Sequence, residues 1–238
     1  MTVARVSPPA ARADKAVAAL AKYKAPVDKA IEAALAYLAK AQLEDGNFPG
    51  GMPKNSAVTS LAVMAFLAKG NTPGVGPYGE VINKGIDAVL ASQHSNGLLS
   101  GGSRSHGSFG YSHNICTLML SEITGMVDVK RQEKVDAALA KALKLILSAQ
   151  QIKKRQSRDQ GGWRYQHTSP DSDISCTGWA LMSLRSARNN GAAIPGEAIA
   201  QALKYVMNCR TREGGFGYQA NGSGPGLART GTALLCLE

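Results

Sequence analysis

Two aspartates, Asp171 and Asp173, stand two positions apart just before an apolar segment. One of two neighbouring carboxyl groups can stay protonated when burial or the other acid disfavours its ionised form, and it can then protonate a substrate. Aromatic faces close to such an acid would stabilise the cation that results. Three aromatic residues lie near in sequence and could line a cavity around a substrate: Trp163, Tyr165 and Trp179.

The same acidic residues also have a purely structural interpretation. Asp and Ser are favoured at helix N-caps, where their side chains accept hydrogen bonds from the first backbone N–H groups of the helix. Asp171, Ser172 or Asp173 could therefore cap the apolar segment that follows. Both interpretations stay open, with Asp173 and Asp171 as the candidate catalytic residues.

A metal site is the third chemistry to consider, because zinc is held by Cys, His and Asp ligands. Asp173 and Cys176 are close in sequence, as are His113 and Cys116, but no histidine follows His167. On apolar helices such residues are more typical of caps and cores. We therefore predict no metal and no cofactor. The four cysteines form no Cys-x-x-Cys pair, and we expect them to be small buried thiols.

A fourfold repeat must position these residues. The first two copies read Gln-x-x-x-Gly-x-apolar, from Gln42 to Phe48 and from Gln93 to Leu99. The third and fourth copies keep the glycine and the aromatic residue, at 161–163 and 214–216. In the third copy a basic insertion separates the glutamine from the glycine, and we expect this insertion to be a solvated loop. Turns repeated in phase indicate one stacked architecture.

The segments on either side of each turn differ in character. Those before the turns have apolar residues on one helical stripe only, as in Val135, Leu139, Leu143 and Ile146. Those after the turns are apolar almost all round and each contains a threonine at its start: Thr59, Thr117, Thr177 and Thr230. Outer one-sided helices alternating with inner two-sided helices predict two layers. When the threonines are aligned, His113 and Asn55 fall opposite Asp173.

The turns at 42–48, 93–99, 161–163 and 214–216 resemble the QW-type repeats of squalene–hopene cyclases and their relatives. The segments 171–186 and 111–122 resemble bacterial prenyltransferase/squalene-oxidase-repeat proteins. The resemblance covers roughly residues 27–238. It implies an all-α fold, an α/α toroid of antiparallel helix pairs in two concentric layers. Only four pairs are visible, fewer than the family ring contains, so we expect either further repeats after Glu238 or closure of the ring by oligomerisation.

The acid motif of that family is Asp-x-Asp-Asp followed by Thr, and its match here has two registers. Matching aspartate to aspartate puts Asp173 at the proton donor, with Ile174 in place of the third acid. Matching on Thr177 puts Asp173 at the leading position, with Ser175 and Cys176 in place of the other acids and no proton donor.

The resemblance implies a terpene cyclase-like or prenyltransferase-like protein that acts on or binds an isoprenoid or other apolar chain. If it is an enzyme, it is a squalene–hopene cyclase-like isomerase or a prenyltransferase-like transferase. The alternative is a non-catalytic toroid that binds lipid or protein. The expected ligand-contacting residues lie at the turns and at the mouths of the inner helices: Trp163, Tyr165, Trp179, His113 and Tyr111.

The 238-residue chain has a net charge of +10, and its 44% hydrophobic content is typical of a soluble globular protein. No signal peptide or transmembrane segment is visible, so the default expectation is a cytoplasmic protein. No nucleic-acid motif accompanies the charge; an isoprenoid or lipid ligand and a peripheral membrane contact are the expected partners. We predict an N-terminal extension or partial helix over 1–25 and a toroid domain over 26–238, with repeats at 26–70, 78–126, 131–191 and 195–238.

Overall fold

The computed structural model describes residues 9–50, 55–101, 108–220 and 222–238, with the side chains of 9–16, 18 and 19 left out. Residues 1–8 of the predicted extension and stretches 51–54 and 102–107 of the first two predicted repeats lie outside the described residues. What is described is all-helical and contains no β-strand, which confirms the predicted all-α class. The helices are α1 (Pro9–Ala41), α2 (Ser56–Ala68), α3 (Gly79–Ala91), α4 (Asn114–Glu122), α5 (Val129–Gln150), α6 (Ile174–Asn189), α7 (Gly196–Asn208) and α8 (Leu227–Leu237).

The chain divides into two compact units, Met1–Ala41 and Gln42–Glu238. The sequence predicted a boundary after residue 25, but α1 runs through that point as one helix with Pro26 in its interior. None of the described helices has the length and apolar character needed to cross a bilayer.

The helices of the second unit pack in a regular order. Helices α2, α4, α6 and α8 contact one another in succession, and we call them the even row. Helix α3 packs on α2, α5 on α4, and α7 on both α6 and α8. The chain thus alternates between the two sets, as the alternating helix character predicts: α7 buries one stripe that includes Ala202 and Val206, whereas α6 buries most of its circumference.

The glutamine before each of the first three turns connects two backbone segments. Its side-chain N–H groups donate to the carbonyl of the turn glycine and to a carbonyl of the next odd-numbered helix. For Gln42 the two acceptors lie at 3.0 and 2.9 Å, for Gln93 at 3.2 and 2.8 Å, and for Gln150 at 2.9 and 2.8 Å. The basic insertion therefore leaves this arrangement intact, because it loops out between Gln150 and the turn. Only the fourth turn, with Arg210, lacks it.

The register of the second repeat differs from the sequence prediction. The turn amide of Phe48 donates to the hydroxyl of Thr59, and the corresponding amides of Trp163 and Phe216 donate to Thr177 and Thr230. In the second repeat the amide of Leu99 donates to Nδ1 of His113, at 3.0 Å, and not to Thr117.

A second hydrogen bond supports the same shift. The amide of Gly110 donates to the carbonyl of Tyr165, as the amide of Ile174 donates to that of Tyr218. His113 therefore corresponds to Thr177, and Phe109 corresponds to Asp173. The shift is one helical turn, and it coincides with a π-helical segment, Ser108–His113, that lengthens the start of α4. The predicted pairing of His113 with Asp173 is corrected accordingly.

Candidate functional site

When the second repeat is aligned at His113, equivalent positions on the four helices of the even row hold partly exposed apolar side chains. The residues five positions after Thr59, His113, Thr177 and Thr230 are Met64, Leu118, Met182 and Leu235, one on each helix of the even row. None of them is buried, and Leu235 is 51% exposed. Two positions after the same residues stand Leu61, Ile115, Trp179 and Thr232, of which Leu61 is 44% exposed and Trp179 is half-buried.

On α6 these side chains lie on the side opposite the buried face. On α6, Leu181 and Leu184 are fully buried, and Ser183 donates to a carbonyl of α4. Since successive residues of a helix are about 100° apart, Trp179 and Met182 lie on the side opposite Leu181 and Leu184. We call the residues on this free side the apolar stripe: Leu61, Met64, Leu118, Trp179, Met182 and Leu235.

A polar cluster lies at the N-terminal end of α6. The ring of Tyr111 is 6.1 Å from that of Tyr165, and the hydroxyl groups of Tyr165 and Tyr218 contact each other. The guanidinium of Arg164 lies 4.9 Å from the ring centroid of Tyr165 and 5.7 Å from that of Tyr218. Burial raises the pKa of Tyr111 to about 12, so its hydroxyl is protonated at neutral pH.

Asp173 is the N-cap of α6 and is fully buried. Its Oδ1 accepts a hydrogen bond from the Cys176 amide at 2.8 Å, so the capping interpretation is confirmed. Its Oδ2 accepts no hydrogen bond from the described residues and lies 3.8 Å from Nε of Arg164. Burial raises the pKa of Asp173, although the capping amide and Arg164 both oppose that shift. The carboxyl group is therefore both a cap and a more weakly acidic group than a free aspartate.

No other repeat has an acid at the position of Asp173. The equivalent positions hold Asn55, Phe109 and Gly226, of which Asn55 also caps its helix, by accepting a hydrogen bond from the Ala57 amide. The fold itself therefore does not require an acid at this position. Asp171, in contrast, is partly exposed, and its Oδ2 accepts a hydrogen bond from Arg164 at 2.7 Å.

Two of the predicted ligand-contacting residues lie in the interior. The indole N–H of Trp163 donates to the carbonyl of Ile146, and the side chain is 1% exposed. His113 is fully buried, and since its Nδ1 accepts from Leu99, its Nε2 must carry the proton directed at the Ala142 carbonyl, 3.2 Å away. Both residues hold a turn in place, and neither side chain is exposed at the surface. Tyr111, Tyr165 and Trp179 are partly exposed and remain accessible.

Two grooves of the second unit lie elsewhere. A groove of about 930 Å³ lies between α5 and α7, and a second of about 420 Å³ lies between α3 and α5. Among the described residues no group of three or more His, Cys, Asp and Glu could hold a metal ion. All four cysteines are buried and free, as the sequence predicted.

Sequence reasoning missed Met64, Leu118, Met182 and Leu235 as a set. Each of the four lies five residues after the side chain that accepts a hydrogen bond from the turn amide. In the second repeat that side chain is His113, which the sequence did not indicate. A scan against protein-family models and a search of curated proteins each found no match to this chain.

Proposed function

We propose that the second unit is part of an α/α toroid that binds an isoprenoid or another apolar chain along the apolar stripe. The observation that carries this proposal is the repeated, partly exposed apolar position on four successive helices. Water-exposed apolar surface is costly, and when it recurs at equivalent positions it is typical of a surface that is covered in use. An elongated apolar ligand would contact one such side chain after another as it crosses the even row.

The arrangement of the helices supports the toroid. The even row is continuous, each of its first three helices is backed by the odd-numbered helix that follows, and α3 also contacts α5. Two rows of helices related by a constant repeat produce a curved array. The apolar stripe lies on the row that would line the inside, and Tyr111 and Trp179 would complete its wall near the polar cluster.

Fluorescence offers a direct test, because the chain has only two tryptophans. Trp163 is buried, so a ligand on the apolar stripe changes mainly the emission of the half-buried Trp179. We expect farnesol and hexadecanol to shift that emission in a saturable way. Met182→Asp should weaken binding by at least tenfold, since it places a charge against the apolar chain. Met126→Asp, at a 40% exposed methionine outside the stripe, is the matched control.

Two results would overturn the binding function. One is the absence of any saturable change with either alcohol in a protein whose helical circular dichroism is intact. The other is equal loss of binding in both variants. Binding of farnesol but not of hexadecanol would narrow the ligand to branched isoprenoids.

Asp173 supports a second candidate function, acid-catalysed isomerisation of a polyprene. The buried Oδ2 accepts no hydrogen bond from the described residues, and burial raises the pKa of the carboxyl group. The third repeat is the only one of the four with an acid at this position. A proton on Oδ2 would be held beside the polar cluster at the N-terminal end of α6. Asp173→Asn keeps the Oδ1 cap and removes the proton, so incubation with squalene or prenyl diphosphates should yield no product. Asp171→Asn, which leaves Asp173 in place, is the matched control; product formation by Asp173→Asn at the wild-type rate excludes the acid role.

A further inference from the structure

Six exposed cations lie on two chain segments that contact each other near the C-terminal end of α7. Three belong to the loop after α5, one to α7 itself and two to the turn that follows α7. We call them the basic patch: Lys153, Arg155, Arg158, Lys204, Arg210 and Arg212, all of which are exposed. For the loop itself the sequence predicted a solvated basic segment, and it did not connect the expected membrane contact with these residues, because the second group lies some fifty positions later in the chain.

The juxtaposition depends on specific contacts. The side-chain amide of Asn208, the last residue of α7, donates to the carbonyl of Arg158 at 3.0 Å. The 3₁₀ turn Ser157–Asp159 packs against α7. On its other side the loop is held by the Arg155 amide, which donates to the Pro170 carbonyl at 2.8 Å. The backbone that carries the cations is therefore anchored at both ends.

The loop also has an internal anchor, the nearly buried Lys154. Its ammonium donates to the carbonyls of Ser169 and Asp171, at 3.1 and 3.2 Å. Burial lowers the pKa of Lys154. Lys154 thus fixes the loop from within, and the neighbouring cations point outward.

The positive charge of the basic patch is only partly offset, by Asp159 beside Arg158 and by Glu213 beside Arg212. None of the six cations forms a salt bridge with a carboxylate of the described residues. Of the acids near the basic patch, Asp159 is buried and Asp171 is paired with Arg164. Glu213, in the turn after α7, is exposed. A cluster of unpaired cations attracts polyanionic surfaces.

Apolar side chains indicate which polyanion fits. Met207, next to Asn208, is 43% exposed, and Ile152, next to Lys153, is half-buried. Cations surrounding exposed aliphatic groups suit the boundary between lipid headgroups and acyl chains. Single-stranded nucleic acids are typically held by aromatic stacking, and the segments 152–160 and 204–215 expose no aromatic side chain, since Tyr205 is buried.

We propose that the basic patch binds the headgroups of anionic phospholipids and holds this unit against a bilayer surface, with Met207 at the interface. The proposal does not depend on the binding of an isoprenoid. Each cation near such a surface contributes roughly fivefold to the partition coefficient, and the attraction is screened by salt.

The test is co-sedimentation of the full chain with isoprenoid-free vesicles of phosphatidylglycerol and phosphatidylcholine, or of phosphatidylcholine alone. We expect partition into the anionic vesicles that is lost in pure phosphatidylcholine and in 0.5 M salt. The variant Arg155→Ala, Arg158→Ala, Arg212→Ala should bind on the order of 100-fold more weakly. The control Lys134→Ala, Lys141→Ala, Lys144→Ala removes the same charge from the exposed face of α5 and should stay within about threefold of wild type.

Absence of sedimentation with anionic vesicles, or an equal loss in the two triple variants, overturns the proposal. So does binding of a random oligonucleotide that depends on the basic patch while anionic vesicles are not bound. Because no vesicle contains isoprenoid, the sedimentation assay tests membrane binding alone. Binding of an apolar chain is tested separately, by the fluorescence titration.

Discussion

At the scale of single residues, the buried polar groups separate structural from accessible chemistry. The rings of His113 and Trp163 form hydrogen bonds with the backbone. Asp173, in contrast, has one oxygen that accepts no hydrogen bond from the described residues. Eight buried side-chain atoms of the described residues lack a hydrogen bond, and Oδ2 of Asp173 is the one carboxyl oxygen among them. The acid and its tyrosine neighbours are therefore the residues on which a catalytic hypothesis can be tested.

His113 should make the stability of the protein depend on pH. Burial lowers its pKa from 6.5 to about 4, so the unfolded chain binds a proton before the folded chain does. The stability that neutral His113 provides is thus complete above pH 6.5 and is lost as the pH falls towards 4, by about 3 kcal/mol. Urea unfolding at pH 7 and pH 4 measures this loss.

The variant His113→Thr provides the comparison, because threonine fills the equivalent position in the other three repeats. It keeps an acceptor for the Leu99 amide but leaves a cavity beside Phe109, so we expect it to be less stable at pH 7. It should lose less stability between pH 7 and 4 than wild type. An unchanged difference between the two pH values would show that His113 does not titrate with unfolding.

At the scale of elements, each of the first three turns lies closely against the next odd-numbered helix. Gly46, Gly97 and Gly161 all have positive φ angles, and a Cβ at each would meet a backbone carbonyl, of Lys84, Lys141 and Gln201, at 2.7 Å or less. Glycine is therefore needed at these positions for two reasons: it adopts the left-handed conformation without strain, and its lack of a Cβ lets the two backbones approach closely.

The variants Gly161→Ala and Gly214→Ala separate these purposes. Both residues have positive φ, 89° and 95°, but a Cβ at Gly214 would meet nothing within 4 Å. We expect Gly214→Ala to lower the free energy of unfolding by about 1 kcal/mol through backbone strain alone. Gly161→Ala should cost about 3 kcal/mol or more, because the turn must also move off α7. Chemical denaturation of both variants gives the difference, and similar costs would mean that the turn does not pack closely on α7.

At the scale of the whole molecule, the second unit presents two surfaces of opposite character. The apolar stripe lies on the even row, opposite the buried face of α6, and the basic patch lies near the C-terminal end of α7. A unit that binds an apolar chain on one surface and an anionic bilayer with the other could take up a ligand that is poorly soluble in water. The net charge of +10 would favour such a contact.

The sequence by itself determined the helices, the turns and the alternation of helix character, because these follow from local periodicity and from glycines required at fixed positions. It also predicted the buried cysteines, but it left a helix cap and a catalytic acid as alternatives over Asp171–Asp173, and the structure identifies Asp173 as the cap. Only the tertiary structure decided the register of the second repeat, since a histidine can replace a threonine as the acceptor when a π-helical segment shifts the helix by one turn. The apolar stripe and the basic patch depend on contacts between residues about fifty or more positions apart, and no local pattern encodes those contacts.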